Sequence, residues 1–206
     1  MPLALHVFEP RYRQLIADLL DSEDPQPPEF GVVLLRQGWE VGRLGDLHPV
    51  GTSAQVSDVL PLPDGRCDLS ATGDRRFRIE QLHPEEKAYL VASVSWLPEP
   101  DGELSDTALP ATRAVIVDYL DALRQLRVHL DEPELDLAES DPRAMSYLVA
   151  RLASLPAADR QILLAEPDTA GRLRRCRAIL RRETELIRQL HAIPVSAQAF
   201  QPGPAD

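Results

Sequence analysis

Nucleophilic catalysis needs a serine, cysteine or threonine with a base in reach, and this sequence brings no such pair together by spacing. The five histidines, His6, His48, His83, His129 and His191, fall in separate predicted elements. Cys67 lies on an alternating strand pattern and Cys176 on the apolar face of a helix pattern, which are positions of small core hydrophobes rather than nucleophiles. A Ser–Lys dyad has a single lysine to draw on, Lys87, and the acidic turn Glu85-Glu86-Lys87 keeps it protonated. No glycine flanks Lys87, so the phosphate-wrapping Gly-Lys-Ser/Thr loop is absent. Gly42-Arg43-Leu44-Gly45 has neither the spacing nor the following helix of a dinucleotide fingerprint. The carboxylates of Asp131-Glu132-Pro133-Glu134-Leu135-Asp136 alternate as in a calcium loop but lack its glycine, which makes the run a solvated interhelical loop. Two distant cysteines supply neither a zinc site nor a disulfide framework. The expectation is a protein with no catalytic site, cofactor or metal.

Charge leaves one surface worth a binding role. Lys and Arg number 22 against 33 Asp and Glu, net −11, which repels phosphate backbones unless a basic face is segregated from the rest. Residues 1–103 hold nine basic and eighteen acidic side chains, whereas 104–206 hold thirteen and fifteen. Within the second half, Arg172, Arg174, Arg175, Arg177, Arg181, Arg182 and Arg188 face only Glu183 and Glu185, a local +5 on one helix pattern. These arginines either lay their stems over a bundle and pair with the acidic loop, or form an exposed stripe of Arg174, Arg175, Arg181 and Arg182 that meets an acidic protein or nucleic acid.

The elements that carry these residues fall into two kinds. Phe8, Tyr12, Leu15, Ile16 and Leu19 recur at helical spacing with Pro10 in the first turn, and Pro25-Gln26-Pro27-Pro28 ends that helix. From Phe30 to Leu97 the period is two. Phe30 to Leu35 reads as a strand buried on both faces, and Cys67-Leu69-Ala71 and Leu90-Ala92-Val94-Trp96 alternate. Pro63-Asp64-Gly65-Arg66 is a turn and Gly73-Asp74 a further break, so several short strands of a small barrel or sandwich are expected. The stiff polar stretch Pro98–Glu103 is the expected boundary between a β-domain, residues 1–98, and a helical domain, 104–192, with a disordered tail over 193–206. The helical half has one stripe of Val115, Ile116, Tyr119, Leu120, Leu123 and Leu126. A second, Met145, Leu148, Val149 and Leu152, is entered through Asp141-Pro142. A short helix over Ala157 to Ala165 and a long one from about Asp168 to His191 complete it. No apolar run approaches the roughly 20 residues that span a bilayer. The start has no basic and apolar leader, so a reducing, cytoplasmic setting is expected.

Leu5-His6-Val7-Phe8-Glu9-Pro10-Arg11-Tyr12 resembles the signature opening of the N-terminal substrate-recognition domain of Lon proteases. Val50-Gly51-Thr52-Ser53-Ala54-Gln55-Val56, Asp64-Gly65-Arg66 and Gly73-Asp74-Arg75-Arg76-Phe77-Arg78-Ile79 follow in the family's order, and Gln161 to Ala165 and Arg172 to Glu183 are similar to its helical part. The resemblance implies an α+β chain: a PUA-like β-pseudobarrel with one packed helix, then a C-terminal helical bundle ending in a long helix. It implies a free-standing substrate-binding domain without the ATPase and peptidase domains. In the octet Phe8 is expected in the core, with Glu9 and Arg11 paired against the barrel. Family members carry a further apolar strand ahead of this octet, whereas this sequence begins at Met1-Pro2-Leu3, so that either the native start lies upstream or the first strand is absent; an absent strand would leave a sheet edge open to a peptide or to a second subunit as a homodimer.

The function expected on this basis is non-enzymatic. Extended or unfolded polypeptide is held in a crevice between the β-domain and the helices, by apolar capture and main-chain pairing, with a protease or chaperone as a further partner and no membrane. Trp39, Tyr89 and Trp96 are the candidate peptide-binding aromatics, with burial in the core as the competing fate of all three and, on its alternating strand face, the favoured one for Trp96. RNA binding through the basic C-terminal helix is the alternative, since PUA-like barrels also occur in RNA proteins, and the acidic β-half stands against it.

Overall fold

The computed structural model describes residues 2–22, 26–36, 47–126, 141–153 and 155–190. The chain divides into two compact units, Met1–Pro98 and Glu99–Asp206.

The first unit holds strands β1 (Pro2–Val7), β2 (Glu29–Val32), β3 (Val50–Pro61), β4 (Cys67–His83) and β5 (Val91–Trp96), with helix α1 (Pro10–Leu20) between β1 and β2. The sheet is antiparallel, in the order β1-β4-β3-β2, with β5 also on β4. Strand β4 organises it. Its first half, Cys67–Thr72, pairs with β1, its second half, Phe77–His83, pairs with β5 on the same edge, and β3 takes the other edge. The expected pseudobarrel is therefore corrected to an open sheet. Closure requires β2 to find a partner beyond β3, and among the described residues β2 pairs with β3 alone and β5 with β4 alone.

Three local expectations are also corrected. Gly73 does not break a strand: β4 runs unbroken through it, and the glycine lies opposite Ala54 where the β3–β4 register shifts, so it marks a bulge. The run from Phe30 to Leu35 is not a strand buried on both faces, since β2 stops at Val32 and Phe30, Val33 and Leu35 are half-buried. Phe8 is 60% exposed, because Val7, the last residue of β1, takes the inward position and the alternation turns Phe8 out, where it stacks on His6. The Pro63–Arg66 turn forms as the residue types require: Gly65 has φ +79°, the Asp64 carboxylate accepts from the Arg66 amide at 3.1 Å, and Leu62 N–H donates to Arg66 O.

Two apolar clusters hold this unit together. Val7, Ile16, Cys67 and Leu69 dock α1 on the sheet, and Leu47, Phe77 and Ile79 form the other with Val33, Leu35, Leu82 and Ala92 packed against it. Phe77 fits there because Gly31 and Gly51 face it. A Cβ on Gly51 would lie 2.6 Å from the ring and 2.7 Å from Val32 O.

The second unit is helical: α2 (Ala108–Gln125), α3 (Pro142–Leu152), α4 (Ala157–Ala165) and α5 (Thr169–Leu190). Asp141 caps α3 through its side chain, which accepts from Ala144 N–H at 2.8 Å, and Pro142 opens the first turn. Ile116, Tyr119, Leu123, Met145, Val149, Leu163, Leu173, Cys176, Leu180 and Ile187 form one core in which α5 packs against α2, α3 and α4. Leu186 and Leu190, near the C-terminal end of α5, are exposed. The acidic run 131–136 and the tail 193–206 lie outside the described residues.

Candidate functional site

The first unit contains a concavity of about 560 Å³, within the range of ligand clefts. Its walls come from α1 (Tyr12, Leu15), the edge of β2 (Phe30, Gly31), the floor residues Phe77 and Ile79 of β4, β5 (Ala92, Val94, Trp96) and the connection before β5 (Pro84, Tyr89, Leu90). This lining is mostly apolar, and Leu90, Val94 and Trp96 are 40%, 36% and 46% exposed. The alternating pattern Leu90-Ala92-Val94-Trp96 thus lines a groove wall, with Ala92 also packed against the Phe77 cluster.

Of the three aromatics singled out from the sequence, the structure brings Tyr89 and Trp96 into this groove, while Trp39 lies outside the described residues. Trp96 meets the edge of Phe77, ring centroids 6.3 Å apart at 83°, and the Arg75 guanidinium stacks on it at 3.8 Å. Arg75 also donates to Glu29 Oε1 of β2 at 3.0 Å, so one side chain links the two edges across the mouth. Nothing in the spacing of Glu29, Arg75 and Trp96 marks them as neighbours; the fold alone assembles them.

Tyr89 is positioned through α1. Its hydroxyl donates to Asp18 Oδ2 at 2.9 Å, Lys87 Nζ donates to the same oxygen at 3.1 Å, and Gln14 Nε2 donates to Asp18 Oδ1 at 2.6 Å. The hydrogen bonds from Gln14, Tyr89 and Lys87 hold the Asp18 carboxyl below its usual range, and the bond to Asp18 raises Lys87. Burial, followed by the carboxylate, raises Tyr89. The only lysine is therefore a structural cation, kept protonated as its acidic surroundings require. By sign, the anchor holds above the depressed Asp18 value and is lost as pH falls through it.

The cysteines are buried in separate units. Burial raises Cys67 and pushes Cys176 up to about 12, with its Sγ–H donating to Ser146 O at 3.3 Å. Neither thiol should react with a disulfide reagent in the folded protein near neutral pH, and both should react after unfolding. A fast native reaction with one equivalent would contradict this placement. Among the described residues no group of three or more His, Cys, Asp or Glu side chains is arranged to hold a metal. Among the described residues no helix is long and apolar enough to cross a membrane.

The basic helix is largely neutralised. Arg172 is fully buried; Arg175 pairs with Glu166 at 2.7 Å, Arg182 with Asp159 and Glu183 at 2.6 Å, and Arg188 with Asp118. Arg177 is half-buried, donating to Ala108 O and Thr112 Oγ1, and its pKa is lowered by burial and by Arg181 and Arg174. Of the four arginines that the stripe alternative names, Arg174 and Arg181 are exposed without a partner among the described residues, whereas Arg175 and Arg182 are engaged. In the octet, Arg11 and Glu9 form an ion pair at 2.8 Å, both about 40% exposed, so it orders the start of α1 and contributes little stability.

The model of the ATP-dependent protease La (LON) substrate-binding domain matches residues 1–182. The chain is 32% identical over 143 residues to Lon protease 1 of Thermus thermophilus and 25% identical over 179 residues to Lon protease 1 of Myxococcus xanthus. These alignments cover 68% and 84% of this chain but 18% and 22% of those proteins, so the chain spans about a fifth of their length. The structure of a Lon N-terminal domain protein from Xanthomonas campestris superposes with a TM-score of 0.62 at 25% identity, covering 86% of this chain and 89% of that one. The N-terminal domain of the Mycobacterium avium complex Lon protease shares the fold, with a TM-score of 0.61 at 20% identity.

Proposed function

This chain belongs to the Lon substrate-binding domain family, and on that premise we propose that the groove of its first unit captures unfolded or extended polypeptide segments without any chemical step. The observation that carries the proposal is the apolar groove with the exposed Trp96 at its mouth and Tyr89 in its wall. An apolar side chain entering it leaves water at a gain of about 25 cal/mol per Å² buried. The Trp96 ring, already pinned by Phe77 and Arg75, loses little freedom on contact. Delivery of the captured segment to a protease or chaperone is part of the same proposal.

The test is a titration of the whole chain against a labelled, permanently unfolded polypeptide, reduced and carboxymethylated lactalbumin, by fluorescence anisotropy. Trp96→Ala should weaken binding by about 2 kcal/mol, roughly thirty-fold. Its melting temperature should stay near that of the parent, because the ring is half exposed. Equal binding by parent and variant would remove the groove from the account. Phe8→Ala supplies the stability control: with the ring at 60% exposure, the change should leave the unfolding free energy within about 0.5 kcal/mol of the parent. A large drop in a thermal melt would return Phe8 to the core.

A further inference from the structure

Among the described residues the sheet is open along one seam, and the seam coincides with the groove. The edge of β2 and the strand β5 both line it, although they lie at opposite sides of the sheet order. Backbone phase then says which groups face outward. Leu97 N–H donates to Arg76 O, so Arg76 and Leu97 form a bonded pair; in an antiparallel ladder such pairs alternate with non-bonded ones. The register places Arg78 opposite Ser95, and beyond the bulge Gln81 opposite Ser93, as bonded pairs. The N–H and C=O groups of Ala92, Val94 and Trp96 therefore point away from β4, toward the free edge. On β2, Val56 N–H donates to Pro28 O, which by the same alternation bonds Phe30 and Val32 to β3 and turns the backbone of Glu29 and Gly31 outward.

We propose that the polypeptide enters as an added β-strand on the free edge of β5, its backbone pairing with Ala92, Val94 and Trp96 while alternate apolar side chains fill the groove. The inference rests on the groove reading above and specifies its chemistry. An occupant of an unpaired edge has to present extended backbone amides, and one that also faces apolar walls has to alternate apolar side chains. Strand β5 has six residues, about 20 Å at 3.3 Å per residue, which sets the length of segment recognised. Because β2 is antiparallel to β3, β3 to β4 and β4 to β5, a strand in the seam runs parallel to one edge and antiparallel to the other. Charge complementarity sets the flanks. Residues 1–98 carry nine basic and fifteen acidic side chains, net −6, while the groove's own Glu29 is matched by Arg75 and Arg11 by Glu9. An uncharged apolar centre bordered by lysine or arginine is the segment that fits, and proline at its centre is excluded by the lost donor.

The experiment uses the whole chain and the labelled peptide Lys-Val-Thr-Val-Ser-Val-Lys, with two twins N-methylated on its valine amides or on its threonine and serine amides. A further twin carries glutamate in place of both lysines. The parent peptide should bind, at least one methylated twin should bind at least ten-fold more weakly, and the glutamate twin should lose several-fold at low salt. Residue-resolved hydrogen exchange should show the amides of Ala92, Val94 and Trp96 slowed by bound peptide, with no comparable change at the already paired Ser93 and Ser95. Equal binding by the parent and both methylated twins, with no slowing at those three amides, overturns strand addition and leaves groove capture standing. Failure of both the parent peptide and the unfolded lactalbumin to bind overturns both. A chain that is dimeric in solution and dissociates to monomer as peptide binds assigns the edge to a second copy and overturns the proposed occupant.

Discussion

Arg172→Ala is expected to destabilise the helical unit by about 3–5 kcal/mol, the cost of breaking a buried charged network from one side. The Arg172 side chain is wholly buried, yet its guanidinium is supplied with acceptors: Ser146 Oγ at 3.1 Å, Glu99 Oε2 at 3.2 Å, Leu163 O at 3.3 Å and Glu166 O at 3.4 Å. It also lies over the Tyr147 ring at 4.3 Å, and the Tyr147 hydroxyl donates to Glu99 at 3.0 Å. Removing the arginine leaves the Glu99 carboxylate and two main-chain carbonyls short of donors and opens a cavity among α3, α4 and α5. A loss above about 10 °C in the melt followed by far-ultraviolet circular dichroism is the expected reading. Lysine should not restore it, since a single ammonium cannot reproduce the planar fork or the stacking. A variant that melts with the parent would mean that the network contributes nothing net.

Phe77→Ala should have a comparable effect on the first unit, about 3–5 kcal/mol for truncating a buried aromatic ring. The ring is 4% exposed and fills the space left by Gly31 and Gly51. It is also the groove floor against which Trp96 leans, so the same change should lower affinity for unfolded polypeptide even under conditions where the unit stays folded. Both tryptophans, Trp39 and Trp96, belong to the first unit, so tryptophan fluorescence reports its melting separately from the helical signal. Phe77→Leu should recover part of the stability. If Phe77→Ala leaves both the fluorescence melt and the affinity unchanged, the floor assignment is wrong.

Much of the second unit is legible in its residues because amphipathic helices advertise themselves. The Asp141-Pro142 cap, the bounds of α4 and the Leu173-Cys176-Leu180 face all follow from local rules. Arg172 does not, since no periodicity distinguishes an arginine that will be buried with four acceptors from its exposed neighbours Arg174 and Arg181. The β-half is less legible for a related reason. Period two says that one face of a strand differs from the other, and it does not say whether the apolar face meets a core or lines a groove, which is how Ala92, Val94 and Trp96 escape it. Gly73 is ambiguous in the same way, as glycine marks a turn and a bulge alike. Whether a curled sheet closes is decided by the pairing of β2 and β5, elements separated by most of the unit, and no local signal carries that information. The Glu29–Arg75–Trp96 link follows from the fold for the same reason.

The central claim, that polypeptide is held in the first unit's groove, is tested most directly by hydrogen exchange across the whole chain with and without unfolded lactalbumin. The account predicts slowed exchange over residues 29–35 and 84–96 and no change along α5. Protection on α5 around Arg174 and Arg181 with an unaltered groove would contradict it.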